Sequence, residues 1–133
     1  MNKNREHIYS FPNTSCTIRA IAYLSDRYQA YLNSVTVINS IDRWLVKLSV
    51  KNSTPYQLIR NLQAFLDEMG SVSIPSVKIR RAIVSLDSGE SPTVVMNRYR
   101  VVIVAHGQPE TEEIEIFRDR VVDGLGYCPQ NML

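Results

Sequence analysis

The chain is 133 residues long, with 44% hydrophobic residues, 21% charged residues and a formal net charge of +2. This length and balance predict one domain, residues 1–133, that buries about two-thirds of its unfolded surface, and so mild a charge does not identify a nucleic-acid binder. No stretch approaches the ~18 apolar residues of a membrane span, and the N-terminal residues lack the apolar segment of a secretory signal. We therefore expect a cytoplasmic protein without membrane contact.

The charges are unevenly distributed along the chain. Residues 1–107 contain thirteen Lys or Arg and seven Asp or Glu, whereas residues 110–123 contain six acids and two arginines. This division predicts a basic surface and an acidic surface on the same domain.

The N-terminal segment, residues 1–12, is polar and ends in Phe11-Pro12, so we predict a flexible arm. A helix is predicted over residues 15–32, where the N-cap types Asn13–Ser15 precede apolar residues at helical spacing. Three tyrosines on this helix form either an aromatic binding stripe or, as is more common on an amphipathic helix, part of the core with each hydroxyl at the rim. These are Tyr23, Tyr28 and Tyr31.

A β-hairpin is predicted from two runs, 35–39 and 44–50, separated by turn-forming residues. The second run alternates, so that Trp44, Val46, Leu48 and Val50 share one side. The opposite side carries Leu45, Lys47, Ser49 and Lys51. We expect that opposite side to meet water or a partner.

The second predicted helix follows Ser53 and Thr54, has Pro55 at its first position and ends before Gly70. Its apolar residues recur at helical spacing, so one face should pack on the sheet. They are Leu58, Ile59, Leu62, Phe65, Leu66 and Met69.

The second half is predicted to repeat this plan. Strands over 77–86 and 94–105 are joined by a loop containing Asp87, Gly89 and Pro92, and a Pro109-initiated helix follows. Residues 127–133 are expected to form a second flexible arm.

The resulting order is αββαββα, an α+β two-layer sandwich with a four-stranded, mainly antiparallel sheet and its helices on one face. Residues 42–50 and 97–105 share an Arg, an aromatic and alternating apolar positions. That match is explained equally well by an internal ββα duplication or by the residue types that begin and end the helices of any two ββα units.

The predicted hairpin between 77–86 and 94–105 would place Arg80 opposite Arg100, with Arg98 and Lys78 on the same side. The equivalent strand 44–50 and the residue after it would add two lysines. The predicted partner-binding residues are therefore Lys47, Lys51, Lys78, Arg80, Arg98 and Arg100. The register matters, because a slip of one residue would move the whole set to the other face.

Three interpretations of this basic sheet face remain open: a solvated surface partly covered by the first helix, a protein interface, and a nucleic-acid interface. Arg mixed with apolar side chains is typical of protein interfaces. A sheet that binds RNA would instead present aromatic side chains for stacking, and the alternation points Trp44 and Tyr99 the other way. We favour a non-enzymatic adaptor or assembly protein with a protein partner, and a nucleic-acid-binding module is the alternative.

The acidic third helix makes a homo-oligomer a further option, with the basic face of one copy against this helix of another. Catalysis has little support, because no nucleotide-binding, metalloprotease or serine-hydrolase motif is present. Cys16 and His106 have no spacing that defines a site. We predict no catalytic residue, no metal and no cofactor, and a small enzyme with an unrecognised site is the second alternative.

Overall fold

The computed structural model describes the backbone of residues 5–40 and 43–125 and the side chains of 6–40 and 43–119. The fold is α+β, as predicted, but the antiparallel sheet has five strands rather than four. The elements in order are β1 (Arg5–Phe11), α1 (Thr14–Arg27), a 3-10 turn (Gln29–Tyr31), β2 (Leu32–Asn39), β3 (Trp44–Val50), α2 (Tyr56–Met69), β4 (Ser71–Val72), α3 (Val77–Asp87), α4 (Pro92–Tyr99), β5 (Val102–Gly107) and α5 (Glu112–Leu125).

The extra strands are β1 and the short β4. The sheet order is β4-β1-β3-β2-β5, and β1 pairs along its whole length with the central strand β3, from Arg5↔Val50 to Phe11↔Trp44. Residues 5–11 are therefore a strand and not an arm, because Tyr9 and Phe11 are buried in the core. The predicted arm over 127–133 lies outside the described residues.

Helices cover both faces of the sheet, so the fold has three layers rather than the predicted two. The helices α1, α2 and α5 pack on one face, which we call the α1 face, over the apolar side of β3 that starts at Trp44. The helices α3 and α4 pack on the opposite face, the α3 face, over Ile38, Leu45 and Ile103. The larger core lies under the α1 face.

The prediction of strands over 77–86 and 94–105 is wrong for most of their length. Residues 77–87 form a helix because Ala82, Ile83 and Leu86 are buried at helical spacing, and the Ser76 hydroxyl caps it by accepting from the backbone N–H of Ile79. Residues 92–99 form a second helix, capped by Ser91. Only the end of the second run, β5, is a strand, so neither the αββαββα order nor an internal ββα duplication is present.

The hairpin and the second helix are confirmed. β2 and β3 pair antiparallel, and α2 buries Ile59, Leu62 and Leu66. The helix begins one residue later than predicted, with Pro55 in the N-cap position. It ends at Gly70 because that residue lies against β1, where a Cβ atom would collide with the Ser10 carbonyl oxygen and the Phe11 ring.

The first helix ends at Arg27 and not at residue 32, so only Tyr23 lies on it, with Tyr28 at its C-cap and Tyr31 in the 3-10 turn. All three tyrosines pack in or against the core, as the second interpretation predicted. The Tyr23 ring stacks on Phe65 with 3.8 Å between centroids. The Tyr28 hydroxyl donates to the Leu58 carbonyl oxygen at 2.8 Å, so α2 is tied to the end of α1. Burial raises the Tyr28 pKa from 10.0 to about 12, with a smaller contribution from Tyr23. Burial and then the Asp67 carboxylate raise the pKa of Tyr9 to about 12 as well.

These two raised pKa values predict a loss of stability at alkaline pH. The unfolded chain releases the phenolic protons near pH 10 while the folded chain keeps them, so the stabilisation is complete below pH 10 and falls between pH 10 and 12. Two pKa units correspond to about 2–3 kcal/mol for each tyrosine. Urea unfolding at pH 8, 10 and 11 should show this decline, and Tyr28→Phe should make it shallower. The same profile for Tyr28→Phe and wild type would contradict the assignment, and Tyr56→Phe, at an exposed position, is the control.

None of the helices in the described ranges combines the length and the apolar character needed to cross a bilayer.

Candidate functional site

The six predicted binding residues do not share a sheet face. Lys47 lies in the middle of the sheet, and Lys51 follows β3, where its backbone N–H donates to the Tyr31 carbonyl oxygen. The other four lie on or next to α3 and α4, because the segments predicted as strands are helices. Lys78 and Arg80 are on α3, Arg98 is in the last turn of α4, and Arg100 is its C-cap residue with a left-handed φ of 58°.

Lys47 is buried and cannot reach a partner. It points to the α3 face, as the alternation of β3 predicted, but the C-terminal end of α3 covers it and leaves it 2% exposed. Its Nζ donates to the Asp87 carboxylate at 2.9 Å and lies 3.6 Å from the Glu6 carboxylate. An ammonium group this deeply buried needs such partners. Lys47 therefore anchors the end of α3 to the central strand.

The outer side of α3 forms a shallow groove with α4. Residues 77, 80, 81 and 84 follow the i, i+3, i+4, i+7 spacing of one helix face, and all four are exposed. We call this surface the basic groove, about 340 Å³ in volume, and define it by Val77, Arg80, Arg81, Val84, Ser85 and Tyr99. Val77 is 55% exposed, and Val84, two turns further along α3, is 66% exposed.

The arginines around the groove differ in whether they form a salt bridge. Arg98 donates to the Glu90 carboxylate at 2.6 Å, and its guanidinium lies 5.8 Å from the centre of the Tyr99 ring. In contrast, no salt bridge within the described residues involves Arg80 or Arg81. Of the arginines beside the groove, these two are therefore the cations available to a binding partner.

Tyr99 forms the wall of the groove contributed by α4. Its hydroxyl lies 3.2 Å from the Ser85 hydroxyl, and this hydrogen bond, followed by the contact with Arg98, lowers the Tyr99 pKa. The contact with Tyr99 also raises the pKa of the Arg98 guanidinium, and the negative charge of Glu90 is the next largest cause. Tyr99 and Ser85 thus hold α4 against α3 and keep the groove in shape.

Two of the remaining predicted residues meet at the N-terminal end of α3. Lys78 and Arg100 line a cavity of about 440 Å³ next to the N-terminus of that helix, together with Asn39 and Ser76. They extend the positive surface around the groove. The structure thus brings Lys78, Arg80, Arg98 and Arg100 to one helical pair, whereas Lys47 is buried beneath the end of α3 and Lys51 lies just after β3.

The residues considered for catalysis do not form a site. The His106 Nδ1 atom lies 2.7 Å from the Thr36 hydroxyl on the α3 face, but Thr36 is fully buried and out of reach of a substrate. Cys16 packs against the core on the other side of the sheet. The described part of the chain contains no group of three His, Cys, Asp or Glu residues that could hold a metal ion.

The predicted binding residues did not include five of the groove residues, Val77, Arg81, Val84, Ser85 and Tyr99. The signal was present in the spacing 77, 80, 81 and 84, which matches one face of a helix. It became visible only once the segment was known to be helical.

No known protein-family model matches this sequence, and no curated protein matches it. A solved structure with a similar fold is the C-terminal domain of YpbH, with a TM-score of 0.52 and 16% sequence identity. The similarity covers 86% of this chain and 99% of that domain. At this identity the comparison shows that the two share a fold.

Proposed function

We propose that this protein is a non-enzymatic adaptor or assembly protein that binds a protein partner through the basic groove. The observation that carries this proposal is the exposure of Val77 and Val84 on either side of Arg80 and Arg81, two arginines without a salt bridge in the described structure. A surface that only meets water gains nothing from two exposed valines. In a protein interface, apolar side chains supply the buried area and arginine supplies directional contacts to carboxylates.

The composition of the groove defines the partner it suits. Apolar side chains of a partner would cover Val77, Val84 and the Tyr99 ring, while carboxylates would meet Arg80 and Arg81. An amphipathic helix with Asp or Glu beside one or two apolar anchors meets both requirements, as in other helix-in-groove complexes. We therefore expect an acidic, amphipathic segment of a protein.

A nucleic acid is the second candidate, and one specific observation favours it. Residues 76–100 contain five Lys or Arg and two acids, a net charge of +3 within a chain whose total net charge is +2. Phosphate contacts need positive charge and no apolar surface. The two exposed valines have no role in that alternative, which is why we place it second.

The proposal is tested by cross-linking from the groove. The full chain carrying Val84→p-benzoylphenylalanine is irradiated in nuclease-treated lysate from its native source, and protein adducts are identified by mass spectrometry. We expect a discrete adduct that decreases about tenfold or more in the Arg80→Glu/Arg81→Glu background, because both carboxylate-binding groups become repulsive. Arg19→Glu/Arg60→Glu is the matched control, with the same charge change at exposed positions on α1 and α2.

Three outcomes would contradict the protein partner. The adduct forms equally from position 56, an exposed tyrosine on α2, it persists in the groove variant, or it forms only in lysate that has not been treated with nuclease. The last outcome supports the nucleic-acid alternative, which also predicts a steep log-linear loss of binding with salt.

A further inference from the structure

A second exposed surface of this chain is complementary to the basic groove. On α5, residues 112, 113, 116 and 119 lie on one side of the helix and all are exposed. We call this the acidic face, and it consists of Glu112, Glu113, Ile116 and Asp119. Ile116 is 43% exposed, and the Ile116 side chain borders a cavity of about 320 Å³ shared with Val104 and Phe117.

The two surfaces match in chemistry. The basic groove has two arginines between two valines, and the acidic face has carboxylates one turn before and one turn after an isoleucine. Arginine and carboxylate form strong charge-assisted hydrogen bonds. In protein interfaces, apolar side chains supply the buried area and the charges beside them set the orientation of the contact.

The surfaces cannot meet within one molecule. The helix α5 packs on the α1 face through Ile114 and Phe117, whereas α3 packs on the opposite face through Ala82, Ile83 and Leu86. The whole sheet lies between them. Any contact between the groove and the acidic face is therefore made by two different copies.

We propose that the basic groove of one copy binds the acidic face of a second copy, so that the chain assembles head to tail. This inference rests on the proposed function, because it uses the same groove, and it identifies the partner as the chain itself. Each added copy exposes a new groove at one end and a new acidic face at the other. Because the two surfaces are different and face opposite directions, we expect repetition of the contact to build an open chain of subunits or a ring of three or more.

The experiment is a charge swap read by sedimentation velocity over a range of protein concentrations. Wild type should form species larger than a dimer as concentration rises, and raising the salt concentration should dissociate them. Arg80→Glu/Arg81→Glu should weaken assembly about tenfold or more, and so should Glu112→Lys/Glu113→Lys. Combining all four changes in one chain, or mixing the two double variants, should restore assembly because the charges are again complementary.

Two measurements keep a folding defect from being mistaken for lost assembly. The Glu112→Lys/Glu113→Lys variant places positive charge at the N-terminus of α5, which opposes the helix dipole. The Trp44 ring packs against Phe117 of that helix with 5.7 Å between centroids, so Trp44 fluorescence reports whether α5 stays docked. Val84→Ser and Ile116→Ser, which change no charge, should each weaken assembly as well.

The outcomes separate this inference from the proposed function. A wild-type chain that stays monomeric, stops at a dimer, or is not rescued by the swap overturns head-to-tail assembly. If cross-linking from position 84 then still captures another protein in a groove-dependent way, the proposed function stands without self-association. If assembly occurs but does not respond to changes at Arg80, Arg81 and Val84, assembly through the groove is overturned, and the cross-linking experiment alone then decides the proposed function.

Discussion

Replacing Asp87 with alanine is expected to lower the free energy of unfolding by about 3 kcal/mol, because it leaves the Lys47 ammonium buried without its closest partner. Lys47 is 2% exposed, and Asp87 provides its only hydrogen bond among the described residues. We expect the lower end of the usual range for a broken buried pair, because the Glu6 carboxylate remains 3.6 Å away. Urea unfolding followed by Trp44 fluorescence measures the effect.

The matched variant is Lys47→Met, which removes the charge and keeps a side chain of similar length. Replacing a buried ion by a well-packed apolar side chain is often neutral or stabilising. We therefore expect Lys47→Met to cost little and to rescue Asp87→Ala in the double variant. A double variant as unstable as Asp87→Ala alone would show that Asp87 acts through something other than Lys47.

The second large effect is expected for Leu62→Ala, at a loss of about 2–5 kcal/mol. Leu62 is fully buried on α2, and its removal leaves a cavity where that helix meets the sheet. The cost depends on how far the neighbouring side chains relax into the space. Chemical denaturation measures this cost, provided that the slope of the free energy of unfolding against denaturant concentration is the same for the variant and the wild type.

Glu68→Ala is the control for that measurement, because Glu68 lies exposed on the same helix. It should change the free energy of unfolding by less than about 0.5 kcal/mol. A Leu62→Ala value as small as this would mean that α2 does not contribute to the core in solution.

Elements with strong local signals were predicted correctly from the sequence. The α2 helix has Pro55 at its start, Gly70 at its end and a regular apolar stripe, and β3 has an apolar residue at every second position from Trp44 to Val50. These signals lie within a few residues of one another, so they need no knowledge of the rest of the fold. The first residues of α1 were identified by the same logic.

The error at α3 arose because two periodicities compete in one short segment. Val77, Ile79 and Ile83 alternate as in a strand, and Ile79, Ala82, Ile83 and Leu86 also recur as in a helix. Ser76 at the N-cap position was the evidence that favoured the helix. The β1 strand was missed for another reason, because its partner β3 lies more than thirty residues away and no local feature specifies that pairing.

The candidate site was likewise predicted only in part. The positive charge of Lys78, Arg80, Arg98 and Arg100 was identified, but its arrangement depended on the wrong secondary structure. Sequence alone also placed Lys47 on an open surface, because nothing in its neighbourhood indicates that Asp87, forty residues later, will cover it.

The position of β1 has a consequence for synthesis on the ribosome. This strand leaves the exit tunnel before the other four strands of the sheet, yet it is held between β3 and β4, whose residues 44–50 and 71–72 are translated later. Until then Tyr9 and Phe11 have no strand beside them, and closing so long a loop costs entropy. We expect this segment of the nascent chain to stay accessible to chaperones until α2 and β4 have emerged. The first of the five strands to be synthesised is therefore among the last to form its pairings.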